Sequence, residues 1–379
     1  MLVALFTYST KPRGSVIHTL ELANALHQLG HQVCVYALDK DGQGFERSLP
    51  CHYQPVPASP APQDVDQLIQ QRIQEFVDFL SHHLQHCHYD IFHAQDCISA
   101  NALAVLRQRG LIHDFGRTVH HIEDYNSPYL QQCQDRSIRE PDRCFCVSDY
   151  WQQQLLQHYQ IHASRVINGV NSDRFTSSPS HQDAQLRQQF EITGYPVFLT
   201  IGGIEPRKNT LQLIKAFAQA REFLPDAQLV IAGGATLFDY QSYRDDFFAL
   251  AKELQLKLNQ SVLLPGVISE DELPGLYRCA NTFVFPSIKE GWGLVVLEAI
   301  ASGLPTIVSN HAPFTEFLTP QQALFVHPSD PSAIAQAMLN SIQPTVAQSL
   351  KQNSRSVVEK YSWKASAALH LNHYQSLMP

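Results

Sequence analysis

The stretch Ser287-Ile-Lys-Glu-Gly-Trp-Gly-Leu-Val-Val-Leu-Glu-Ala-Ile-Ala-Ser-Gly-Leu-Pro305 carries two acids, Glu290 and Glu298, eight positions apart. Glu290 stands before a turn bounded by Gly291 and Gly293, and Glu298 lies inside an apolar run that reads as helix. The preceding Asn281-Thr-Phe-Val-Phe-Pro286 is rich in β-branched and aromatic residues and is predicted to be a strand. Glycine frees the backbone where strand becomes helix. Amides at the start of that helix, from Gly291 and Trp292 to Gly293 and Leu294, lack intrahelical partners and face an anion. At roughly 1.5 Å per residue, Glu298 sits about 7 Å deeper than the turn. A carboxylate accepts paired sugar hydroxyls, which suits Glu298 to a ribose and Glu290 to a hexose at the two ends of one diphosphate. Two glutamates near a helix start are more often a solvated first turn, so the weight of this reading comes from the rest of the chain.

Working outward, strand-like and helical runs alternate on both sides. Leu2 to Tyr8, Val16 to Leu29 and Gln32 to Leu38 form a βαβ beginning. A long amphipathic helix is predicted over Asp64 to Gln85, followed by strands at Asp90 to Ala94, Arg117 to Ile122 and Arg143 to Val147. Polar, proline-containing sequence interrupts the pattern near Asn171 to Ser180. Strands then resume at Pro196 to Ile201, Gln228 to Ala232, Ser261 to Leu264, Asn281 to Phe285 and Pro305 to Ser309. The expected division is an N-terminal Rossmann-like domain over 1–172, a C-terminal Rossmann-like domain over 173–360, and a final helix over 361–379. Ser362 is its candidate cap.

A chain of 379 residues exceeds what one core serves, which agrees with two domains. The net charge of -8 argues against nucleic acid as a partner, while a local basic patch leaves peripheral membrane docking open. No apolar run approaches the roughly 20 residues of a membrane span. Met1 to Tyr8 reads as a first strand instead of a leader, so the expected location is the cytoplasm. The 8 cysteines include no CxxC pair and fit reduced thiols. His82 and His86 have an i, i+4 spacing, yet no acid completes a metal motif, and a solvated helix end explains them.

The Glu290 to Glu298 segment resembles the E-x7-E element of the retaining, family-four type of GT-B glycosyltransferases (glycosyl transferases group 1), and further motifs follow in the same order along most of the chain. The resemblance implies an α/β fold of two Rossmann-like α/β/α domains facing each other across a cleft, and a terminal helix that crosses back to the first domain. Ile201-Gly-Gly-Ile-Glu-Pro-Arg-Lys-Asn-Thr210 resembles the family's glycine-rich loop, whose lysine, here Lys208, neutralises the donor diphosphate. The family commonly carries an arginine directly after the loop's first glycine. This chain has Gly203 there, and Arg207 is the candidate substitute.

Thr7-Tyr-Ser-Thr-Lys-Pro-Arg-Gly-Ser-Val-Ile-His18 resembles the family's first-domain loop, with Gly14 remaining of its glycine pair and Lys11 and Arg13 placed to hold an anion. Thr118-Val-His120 resembles the segment that puts a histidine near the transferred sugar, which makes His120, and less directly His121, candidates. Asn168-Gly-Val-Asn171 resembles the linker motif, with Asn171 in an aspartate's place. Asp239, Tyr240 and Gly266 to Ile268 lie beyond strands whose edge meets the nucleotide in the family, and Glu316 matches a further acidic position without an assigned role.

What the resemblance implies is transfer of a sugar from a nucleotide-diphosphate donor to an unidentified sugar, lipid or small-molecule acceptor, with retained configuration. Glu290, His120 and Lys208 are the catalytic candidates; Gly14, Arg207, Lys208, Gly291, Trp292, Gly293, Leu294 and Glu298 are the donor-binding ones. No cofactor and no metal are expected. Two alternatives stay open: a nucleotide-sugar epimerase of the same fold, and a sugar-nucleotide-binding protein without turnover. A nicotinamide dehydrogenase is disfavoured, since neither sheet opens with GxGxxG followed by a ribose acid.

Overall fold

The computed structural model describes residues 1–234 and 240–377. The chain divides into two compact units, Met1–Gly169 with Tyr361–Pro379, and Val170–Lys360.

The first unit is built on a seven-stranded parallel sheet. Its strands are β1 (Leu2–Thr7), β2 (Gln32–Asp39), β3 (His52–Pro57), β4 (Ile91–Ala94), β5 (Gly116–Val119), β6 (Arg143–Cys146) and β7 (Ser164–Arg165), in the order β3-β2-β1-β4-β5-β6-β7. Apolar side chains of β1 and β2 are buried on both faces, as a parallel sheet covered by helices requires. One face packs Phe6, Tyr36 and Ala94 against Phe76 and Leu80 of the helix Val65–His83 and against Leu103 of the helix Cys97–Gln108. On the other face the terminal helix Trp363–Tyr374 lies against the helix Gly14–Gln28. Ser362 caps the terminal helix by accepting from the Ala365 amide.

The second unit holds a six-stranded parallel sheet, β10-β9-β8-β11-β12-β13. Its members are β8 (Val197–Ile201), β9 (Gln228–Ala232), β10 (Val262–Gly266), β11 (Thr282–Phe285), β12 (Thr306–Ser309) and β13 (Leu324–Val326). Phe198, Phe217, Leu229, Phe247, Ile307 and Met338 belong to its core.

Two differences from the sequence reading have physical causes. The strand expected over Arg117 to Ile122 ends at Val119, because its neighbours stop there: β4 pairs only as far as Arg117, and β6 pairs its last residue, Cys146, with Val119. His120 therefore begins a loop. β3, which the sequence reading did not find, contains Pro55 and Pro57; these are compatible with a strand because β3 is the sheet's edge.

Candidate functional site

In an open parallel sheet, loops leaving adjacent strands toward opposite faces open a crevice at the strands' carboxyl ends. In the second unit that reversal falls between β8 and β11. The loop after β8 is Gly202 to Asn209, with a single 3-10 turn at Pro206–Lys208; the loop after β11 is Pro286 to Gly293. Asn209 holds the two loops together. Its carboxamide donates to the Pro286 carbonyl at 3.0 Å and to the Pro328 carbonyl at 2.6 Å. The Ile288 amide donates to the Arg207 carbonyl at 2.8 Å.

Charge gathers at this junction. Glu290 Oε1 lies 2.6 Å from Lys208 Nζ, 3.0 Å from Arg207 Nη1 and 2.7 Å from Ser287 Oγ. Lys208 is 7% exposed and sits over the Phe285 ring, 4.5 Å from its centroid. Its stem passes so close to Gly202 that an added Cβ there would be 2.6 Å from Lys208 Cε. Burial pulls the Lys208 pKa below its ordinary value, against the opposing pull of Glu290. Burial pushes the Glu290 carboxyl upward, but Lys208 and Arg207 outweigh it and hold the group at about 2. Arg207, more exposed, also reaches Glu205 at 3.4 Å.

Gly203 has φ +74, and an added Cβ would lie 2.8 Å from the Gly234 carbonyl oxygen. At Gly233, φ +131, a Cβ would be 2.4 Å from the Gly203 amide. The loops after β8 and β9 thus touch backbone to backbone. A side chain at either glycine would force them apart.

The glycine turn behaves as its sequence suggests at one position. Gly293 adopts φ 99 and is the N-cap of the helix Leu294–Ala301, which has no side-chain cap. Trp292 is buried and stacks on Phe317 with centroids 4.7 Å apart. Glu298 is 8% exposed, and the Tyr277 hydroxyl donates to its Oε2 at 2.9 Å. Tyr277, Ser287 and Asn209 were invisible to sequence reasoning as partners of these groups.

Other candidates belong to the first unit. Gly14 is the first residue of the helix Gly14–Gln28, and a Cβ there would meet nothing within 4 Å. His120 packs edge-on to His18, centroids 4.8 Å apart, and burial together with His18 holds its pKa well below the usual imidazole range. It is therefore neutral at physiological pH. His18 Nδ1 bonds Asn168 Oδ1 at 2.8 Å, and His121 bonds Glu123 at 2.5 Å. Lys11 pairs with Asp41 at 2.6 Å.

In the linker motif, Asn171 Oδ1 accepts from the Asp173 and Arg174 amides and so forms a turn. Tyr240 precedes the helix Gln241–Glu253, Glu316 lies in the short helix Phe314–Phe317, and Asp239 falls outside the described residues. Among the described residues no group of three or more His, Cys, Asp or Glu is arranged to hold a metal ion, and no helix is long and apolar enough to cross a membrane.

Residues 12–174 match the family Glycosyltransferase Family 4, and residues 182–357 match Glycosyl transferases group 1. O-antigen chain mannosyltransferase B of Escherichia coli is 27% identical over 258 residues, 66% of this chain and 64% of that protein. An uncharacterized glycosyltransferase of Methanocaldococcus jannaschii is 25% identical over 100% of this chain and 99% of its own. Among solved structures, sucrose-phosphate synthase from Thermosynechococcus elongatus has a TM-score of 0.81 at 23% identity, covering 99% of this chain and 98% of that one. Anabaena HepE in complex with UDP and glucose has a TM-score of 0.80 at 17% identity, covering 99% of this chain and 100% of that one. Two parallel-sheet units, each matched end to end by these structures, and two family matches in the expected order make the chain a glycosyltransferase of the GT-B fold, group 1 type.

Proposed function

We propose that this protein transfers a sugar from a nucleotide-diphosphate donor held by the second unit to a hydroxyl acceptor, with retention of configuration and without a metal ion. The supporting observation is the junction at the β8/β11 reversal, where Lys208 and Arg207 converge on Glu290 beside the helix start at Gly293. Negative charge grows on the diphosphate as the glycosidic bond breaks. Fixed cations and helix-start amides stabilise that charge more in the transition state than in the ground state.

In this reading Lys208 and Arg207 meet the phosphates together with amides from Gly291 to Leu294. Glu290, ionised by its two cations, orients the transferred ring and supports its positive charge. Glu298 receives the ribose hydroxyls. The leaving phosphate oxygen takes the acceptor's proton, so the sugar–phosphate bond breaks as the new glycosidic bond forms on the same face. Gly14 and His120 are proposed to serve the acceptor within the first unit, with His120 acting as a neutral hydrogen-bonding group. The UDP-glucose complex of HepE supports a nucleotide sugar as donor, and the mannosyltransferase relative favours a hexose.

The test incubates the full chain with UDP-, GDP- and ADP-hexoses, a panel of sugar and lipid acceptors and a chelator, and reads products by mass spectrometry and NMR. Retained anomeric configuration with the chelator present is the expected result. Inverted products or a requirement for added metal would overturn those two parts. Interconversion of donor sugars without acceptor would establish an epimerase instead.

A further inference from the structure

We propose that Tyr277 is a positioning residue for the donor: its phenol orients the Glu298 carboxylate toward the ribose hydroxyls. This rests on the donor-site reading above. Tyr277 belongs to the helix Leu273–Arg278, and its hydroxyl lies 2.9 Å from Glu298 Oε2 and 3.2 Å from the Val295 carbonyl. A carboxylate as buried as Glu298 requires a hydrogen-bond partner. The Tyr277 hydroxyl supplies one.

The two glutamates are therefore equipped differently. Glu290 meets two cations, so its charge is largely balanced within the protein. Glu298 accepts a hydrogen bond at Oε2 from a phenol, a neutral donor with a single proton to give. Burial, reinforced by the charge of Glu298, pushes the Tyr277 pKa well above its ordinary value, and the phenol stays a donor throughout the working range.

The ring itself is immobilised. Phe175 and Phe283 pack on it, each with centroids 5.7 Å away. The Arg174 guanidinium covers Phe175 at 5.0 Å and pairs with Glu270 at 3.3 Å. A hydroxyl fixed in this way selects one carboxylate orientation and removes the entropy cost of finding it on binding.

Tyr277→Phe removes the hydroxyl and keeps the packing. Calorimetry on the full chain compares UDP, GDP and ADP with their 2′,3′-dideoxy counterparts, following the base that the wild type binds best. A hydrogen bond to a charged group predicts about a ten-fold loss of affinity for the ribonucleotide and less than about two-fold for the dideoxy form. Glu298→Ala, or Glu298→Gln if alanine does not fold, should erase the same discrimination, and Tyr277→Phe should add nothing in that background. Equal loss for both nucleotides, or a loss that persists in the Glu298 variant, makes Tyr277 a packing residue and overturns the proposal. Should the Glu298 variant discriminate like wild type, or no nucleoside diphosphate bind, the donor-site reading fails and takes this proposal with it.

Discussion

Lys208 Nζ lies 2.6 Å from Glu290 Oε1, joining two side chains 82 positions apart across the reversal of the second sheet. Each group determines the state of the other. The lysine keeps the carboxylate ionised, and the carboxylate offsets the burial of the lysine. Lys208→Ala and Glu290→Gln are each expected to abolish transfer, by about 100-fold or more if the groups stabilise developing charge as oxyanion-site donors do. Circular dichroism should show the fold intact. Wild-type rates in both variants would remove these residues from the mechanism.

Gly203→Arg restores the residue type the family commonly places there, and it should fail to help. The position has φ +74 and faces the Gly234 carbonyl, so any side chain costs about 1–3 kcal/mol in backbone strain and contact. A lowered urea midpoint and weaker nucleotide binding are expected. Tighter binding at unchanged stability would contradict the idea that Arg207 has taken over the guanidinium's task.

Acid sensitivity should come first from the buried histidines of the first unit. Burial lowers His18 to about 4 and His370 to about 3 from an ordinary 6.5, and holds His93 well below that value. The folded state thus prefers the neutral rings. Their contribution is complete above about pH 6.5 and is lost as pH falls toward the folded values, at about 1.4 kcal/mol per pH unit for each group. Glu290, depressed from 4.5 to about 2, adds a loss only below about pH 4.5. Urea midpoints measured from about pH 8 to pH 4 should fall below about 6.5, and His370→Gln should reduce the slope. A flat profile in wild type would contradict these burial effects.

Gly169→Ala tests how the terminal helix is seated. An added Cβ would lie 2.2 Å from the Trp363 amide nitrogen and 2.3 Å from the Ser362 carbonyl carbon, beside the capping hydroxyl of that helix. Overpacking of this severity is expected to cost about 2–3 kcal/mol. Protease cleavage near residues 361–379 should accelerate, while a variant as resistant as wild type would show that the contact relaxes freely.

Much of the architecture is written in local sequence. Hydrophobic runs of β1, β2, β8, β9, β11 and β12, the glycine at 293 and the cap at Ser362 each act through near neighbours, and each is recognisable where it stands. β13, three residues long, and β3, broken by prolines, carry too little pattern to announce themselves. The end of β5 at Val119 depends on where β4 and β6 stop, which no window around His120 contains. The contacts of the candidate residues divide in the same way. Lys208 and Glu290 were singled out by motif and stand side by side in the fold, whereas the Tyr277 bond to Glu298 and the ring contact of His18 with His120 join distant positions and required the fold.

The prolines of β3 also bear on how copies of this chain avoid one another. A parallel strand turns alternate peptide groups to alternate sides. Pro55 and Pro57 share a side, and since β3 pairs with β2 from His52 through Pro57, the outer side is the one they occupy. A would-be eighth strand approaching from solvent finds carbonyls there but at two of three places no amide to bind, so ribbon-to-ribbon stacking of neighbouring molecules is denied its hydrogen-bond template.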